Sequence, residues 1–118
     1  MEKLRIFILD SEAGEPTVKA LDKVCKSFNL DYNLEMRVSK EYTFSFPKDY
    51  DAYLIHLSDT TESALTELRT EQPWSKIYAK CGMSWATAAL KQLLDGEYSK
   101  PVISTEDAKR IIEQTGQI

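Results

Sequence analysis

The feature that most constrains this chain is Leu4-Arg5-Ile6-Phe7-Ile8-Leu9, a nearly continuous apolar run closed by Asp10-Ser11-Glu12. A strand with one wet face alternates apolar and polar residues, whereas a run apolar on both parities needs cover on both faces. That is the condition of an inner strand in a parallel sheet. The rest of the chain supplies the cover. Pro16 fits the first turn of a helix without wasting a donor, and Ala20, Leu21, Val24, Cys25 and Phe28 recur at helical spacing, which predicts a helix over about 15–28. Leu34, Met36 and Val38 alternate with Asn33, Glu35 and Arg37 as in an edge strand. Asp51-Ala52-Tyr53-Leu54-Ile55-His56-Leu57 is the next strand, and Asp59 with Glu62 forms a capping box for a helix carrying Ala64, Leu65 and Leu68, ended at Pro73.

Ile77, Ala79 and Cys81 alternate with Lys76, Tyr78 and Lys80, which predicts a half-exposed fourth strand; a short or detached fifth strand would explain its lysines. Ala88, Ala89, Leu90, Leu93 and Leu94 make a helix with Gly96 in the left-handed position past its end. Val102 and Ile103 make the last strand, and Ile111 and Ile112 anchor a terminal helix from near Thr105. Residues 39–48 stay open between helix and strand: Tyr42, Phe44 and Phe46 keep a period of two where a doubly wound fold calls for a helix. Strand–helix alternation without repeat, linker or low-complexity tract predicts one domain over 1–118, an α/β three-layer sandwich with a mainly parallel five-stranded sheet of order 2-1-3-4-5 and right-handed crossovers.

Composition narrows the function classes. Fifteen basic and nineteen acidic residues give a net charge of −4 without runs of like charge, so nothing attracts nucleic-acid phosphate. No uninterrupted apolar run exceeds four residues, and Met1-Glu2-Lys3 opens straight into the first strand, so neither a membrane span nor a signal peptide is expected. Cys25 and Cys81 beside a single histidine match no zinc spacing, and reduced thiols in a cytoplasmic chain are expected.

In such sheets the functional crevice lies beyond the carboxyl ends of the strands. This places Asp10, Ser11 and Glu12, then His56 and Ser58, Cys81 and Gly82, and Lys100 there. Phosphoryl transfer needs a carboxylate nucleophile, acidic ligands for a divalent ion and a cation for the developing charge. Asp10 and Glu12 suit a cation and Lys100 an oxyanion, but His56 stands where a strand-end carboxylate is required. Each residue also has a structural reading. A lone strand-end histidine is satisfied by local hydrogen bonds, Asp10 pairs with Lys100 and holds the crevice shut, and Cys81 packs unless Lys80 and Lys100 lower its pKa. Trp74 and Trp85 are packing residues or partner anchors, and Tyr42, Phe44 and Phe46 cover the sheet's own face or extend a partner's sheet.

Three segments resemble bacterial response-regulator receiver domains. Ile8-Leu9-Asp10-Ser11-Glu12 is similar to the family's first-strand acidic cluster, with Ser11 replacing one aspartate. Tyr50 to His56 is similar to the third strand, which in the family ends on the phosphorylated aspartate. Gly96-Glu97-Tyr98-Ser99-Lys100-Pro101-Val102, followed by Thr105-Glu106-Asp107, is similar to the lysine–proline step and the opening of the last helix. The resemblance implies a flavodoxin-like receiver fold and a cis Lys100–Pro101 bond. It also implies a degenerate phosphorylation site at Asp10, Ser11, Glu12, His56, Cys81, Lys100 and Pro101, with acceptor, one metal ligand and switch hydroxyl altered.

The resulting expectation is a stand-alone, non-enzymatic pseudo-receiver that binds another protein independently of phosphorylation, without metal or cofactor. Family behaviour points to the last two helices and the final strand as the binding or self-association face. Two alternatives stand beside it: a small flavodoxin-like enzyme or ligand-binding domain using Asp10, His56, Cys81 and Lys100, and an acidic inhibitor or immunity-type protein.

Overall fold

A computed structural model describes residues 3–10, 14–38, 46–55, 62–80, 88–99 and 103–116. Their strands are β1 (Leu4–Asp10), β2 (Tyr32–Val38), β3 (Ala52–Ile55), β4 (Lys76–Lys80) and β5 (Gly96–Tyr98). Interleaved with them are helices α1 (Gly14–Ser27), α2 (Glu62–Glu71), α3 (Ala88–Gln92) and α4 (Thr105–Gln114). All strand pairs are parallel and the order is β2-β1-β3-β4-β5, as expected from the alternation.

The apolar run at the start forms the inner strand β1, and its two parities feed two cores. Leu4, Ile6 and Ile8 join Leu21, Val24 and Cys25 of α1, Ala108, Ile111 and Ile112 of α4, and Tyr78 and Tyr98 from the sheet. Phe7 and Leu9 join Tyr53, Ile55, Ile77 and Ala79 beneath Ala64, Leu65 and Leu68 of α2, with Leu93 and Leu94 packed alongside. Each such side chain contributes roughly 1.5–3 kcal/mol on full burial, so a strand buried on both faces stabilises both cores at once. Helix α1 stops where Asn29 takes a left-handed conformation (φ 54°) and Leu30 N–H bonds back to Cys25 O at 3.1 Å. At the start of α4 the Ser104 side chain accepts from Asp107 N–H, a serine cap.

Polar residues buried at the amino end of the sheet are held by one another. Gln72 accepts from Asp49 N–H at 2.6 Å and donates to Tyr53 Oη and Ser75 Oγ, and Ser75 Oγ donates to Tyr50 O. Phe46 lies in no regular element, yet it is buried edge-on against Phe7 (6.4 Å) and Tyr53 (6.0 Å), covering the sheet's own face. Tyr42 and Phe44, and the question of helix or strand over 39–45, fall outside the described residues.

Two expectations are corrected. The fifth strand is Gly96–Tyr98 and not Val102–Ile103; Ile103 is buried outside any strand, and Val102 lies outside the described residues. Asp95 dictates this register, because its N–H donates to Ile77 O and its carboxylate accepts from Ile77 N–H, each at 2.7 Å, docking the chain onto β4. Gly96 is then a strand residue without a left-handed φ; a Cβ there would lie 3.5 Å from the Tyr78 ring. The second correction is that β4 is not half exposed. Tyr78 and Lys80 are buried along with Ile77 and Ala79, although β5 is as short as expected.

Candidate functional site

Of the crevice residues singled out in the sequence, Asp10 is described; Ser11, Glu12, His56, Cys81, Lys100 and Pro101 fall outside the described residues, as do Ser58, Gly82 and Trp85. Asp10 ends β1 and continues the parity of Leu4, Ile6 and Ile8, so it projects on the α1/α4 side. Lys80 ends β4 and continues the parity of Tyr78 on that same side. With β3 between them, the two backbones are two strand spacings apart, about 10 Å. The lysine's methylene stem bridges that distance: its Nζ lies 3.0 Å from Asp10 Oδ2, with the side chains 9% and 0% exposed.

This pair roofs the α1/α4 core at the carboxyl edge of the sheet. Chemically, the first-strand carboxylate already has a cation against it, so a divalent ion would have to compete with a fixed ammonium group. Among the described residues no cluster of three histidine, cysteine or acidic side chains is placed to hold a metal. Lys100, expected from the sequence as the cation beside Asp10, lies outside the described residues, and sequence reasoning did not name Lys80 for that place. The available signal was a lysine at the last position of a strand whose other residues are apolar or aromatic.

The two ends of the segment bearing Lys100 and Pro101 are tied together. Ser99 N–H donates to Asp107 Oδ2 at 2.9 Å, and Ser104 N–H donates to Ser99 Oγ at 2.8 Å. Burial alone would raise the Asp107 pKa, but the Ser99 and Ser104 hydrogen bonds and Arg110 hold its carboxyl below the usual range. Below Lys80, burial and the Asp95 charge push the Tyr78 hydroxyl up to about 12. Cys25 lies far from this edge, buried in the α1 core, where burial and then Asp22 raise its thiol to about 11. Trp74 is 55% exposed, in the α2–β4 turn at the opposite end of the sheet. An open groove of about 340 Å³ along the start of β5 is lined by Lys91, Leu94, Asp95, Gly96 and Glu97, apart from the Asp10–Lys80 pair.

No protein-family profile and no curated protein sequence matches the chain. Solved structures do. The chain has the fold of receiver domains. A CheY-like response regulator receiver domain protein from Methanospirillum hungatei is similar over 98% of this chain and 95% of its own, with a TM-score of 0.59 and 16% identity. The chemotaxis response regulator CheY4 of Vibrio cholerae is similar over 97% and 99%, with a TM-score of 0.61 and 11% identity. A protein of a different description is also similar: the lactose-specific IIB component of a phosphotransferase system from Streptococcus pneumoniae, over 98% of this chain and 100% of its own, with a TM-score of 0.54 and 12% identity. At such identities the likeness is one of fold, and function has to come from the residues. Among the described residues no helix is long and apolar enough to cross a membrane.

Proposed function

We propose that residues 1–118 form one receiver-shaped domain that acts in the cytoplasm as a phosphorylation-independent, non-enzymatic regulatory module and binds another protein. The observation that carries this reading is the buried Asp10–Lys80 pair. In a phosphate-accepting site the first-strand acids hold a divalent ion that stabilises the phosphoryl oxygens. Here Asp10 is neutralised by a lysine held within 3.0 Å, Ser11 contributes no charge, and the third strand leads into His56 and not an aspartate. Asp10, Ser11, Glu12, His56, Cys81, Lys100 and Pro101 are on this reading a degenerate phosphorylation site. Its ion pair fixes the conformation that a switch would otherwise toggle. The surface offered to a partner is that of α3, β5 and α4, where Arg110 braces the end of β5 by donating to Glu97 O at 2.8 Å.

Incubation with magnesium and acetyl phosphate, followed by intact-mass measurement, tests the reading. No added phosphoryl mass is expected. A phosphoryl adduct on the wild type that is lost in Asp10→Asn or His56→Ala would overturn it and make the crevice a reactive centre.

A further inference from the structure

The outer edge of β2 carries a self-complementary charge pattern. With β2 at one end of the sheet order, nothing among the described residues pairs with that edge. At seven residues, β2 ties with β1 as the longest strand among the described residues, and Tyr32-Asn33-Leu34-Glu35-Met36-Arg37-Val38 contains neither the proline nor the lysine that commonly blunt an edge. Glu35 and Arg37 share the face turned toward Phe7 and Tyr50, while Met36, on the other parity, is 39% exposed.

We infer that a second copy of this chain docks antiparallel on β2, with the two-fold axis at Met36, extending the sheet across the dimer. In this register each Glu35 stands opposite the second copy's Arg37, and Met36 meets its own counterpart on the axis. A two-fold interface must be self-complementary, and two residues of opposite sign flanking one exposed apolar residue meet that requirement. The charged groups are also preorganised. Glu35 accepts a hydrogen bond from the Tyr50 hydroxyl, and the Arg37 guanidinium lies 5.7 Å from the centre of the Phe7 ring. Their present 3.6 Å contact within one strand leaves the side chains 40% and 58% exposed, free to join a four-membered cluster across the axis. None of these residues belongs to the Asp10–Lys80 pair or to the α3–β5–α4 surface, so this dimer stands or falls apart from the function proposed above.

Sedimentation equilibrium over a concentration series at low ionic strength tests it. The wild type is expected to dimerise, and added salt to weaken the dimer. Glu35→Lys sets lysine against arginine and Arg37→Glu sets glutamate against glutamate. Each variant alone should therefore dimerise about tenfold more weakly, or not at all. Mixed in equal amounts, the two variants match lysine with glutamate and arginine with glutamate, and the heterodimer should recover wild-type affinity. Circular dichroism confirms that each variant is folded. A wild type monomeric at every concentration, single variants that dimerise like the wild type, or a mixture of folded variants without a heterodimer would each overturn the inference.

Discussion

Replacing Lys80 by methionine keeps the length of the side chain and removes its charge. Were the pair exposed, the loss would be roughly 0–1 kcal/mol. Asp10 is 1% exposed and Lys80 8%, so the relevant case is a buried pair deprived of one partner, which costs about 3–5 kcal/mol because the remaining charge stays desolvated. An unfolding entropy of roughly 2.1 cal/mol/K per residue gives about 0.25 kcal/mol/K for this chain, and hence a fall in Tm of about 12–20 °C. Asp10→Asn with Lys80→Met removes both charges and should recover much of that loss, leaving a coupling of roughly 2 kcal/mol in the cycle. Urea unfolding followed by circular dichroism, with m-values compared, measures all four proteins. A loss below about 1 kcal/mol in Lys80→Met, or single losses that add within about 0.5 kcal/mol, would refute the claim that this pair holds the carboxyl edge together.

Two further outcomes are expected from the titrating groups. Because the folded pKa of Asp107 lies below the ordinary carboxylate value it has in the unfolded chain, its contribution is fully present above that ordinary value and is lost as pH falls through the lower folded one; thermal melts of Asp107→Asn should lack this part of the acid limb. Cys25, with its thiol at about 11, should resist a thiol reagent at neutral pH in a Cys81→Ser background and react only as the fold opens, which a time course with and without urea checks.

The fold was legible in the sequence wherever one physical requirement acted alone. Apolar residues on both parities of Leu4–Leu9 demand two covered faces, and the chain has α1 and α4 on one side of β1 and α2 on the other. The alternation of Asn33 to Val38 marks an edge, and β2 is one. Legibility failed after α3, where the contacts that decide the register are distant in sequence. Gly96 reads locally as a helix terminator, but Asp95 bonds both backbone groups of Ile77 and places Gly96 against Tyr78. Turn chemistry gave the wrong reading because a tertiary hydrogen bond outranked it.

The site was less legible than the fold, and Lys80 shows why. Alternation treats a lysine as evidence of water, so Lys76, Tyr78 and Lys80 together read as a wet face. Lys76 is half-buried at the start of β4, but Lys80 occupies the opposite end, where the sheet brings the end of β1 within reach of a long side chain. A lysine is tolerated there because burial penalises an isolated charge far more than a hydrogen-bonded pair, and the partner lies 70 residues earlier and two strands away. Periodicity within one strand carries no information about such a partner. The acid at the end of β1 was visible, and so was the need for a cation beside it; that Lys80 supplies one depends on the strand order, since β4 carries Lys80 to the same face and the same edge as Asp10. The consequence is local and chemical: a divalent ion at Asp10 would have to share the carboxylate with the Lys80 ammonium group 3.0 Å away, and it is on this competition that the function proposed above rests.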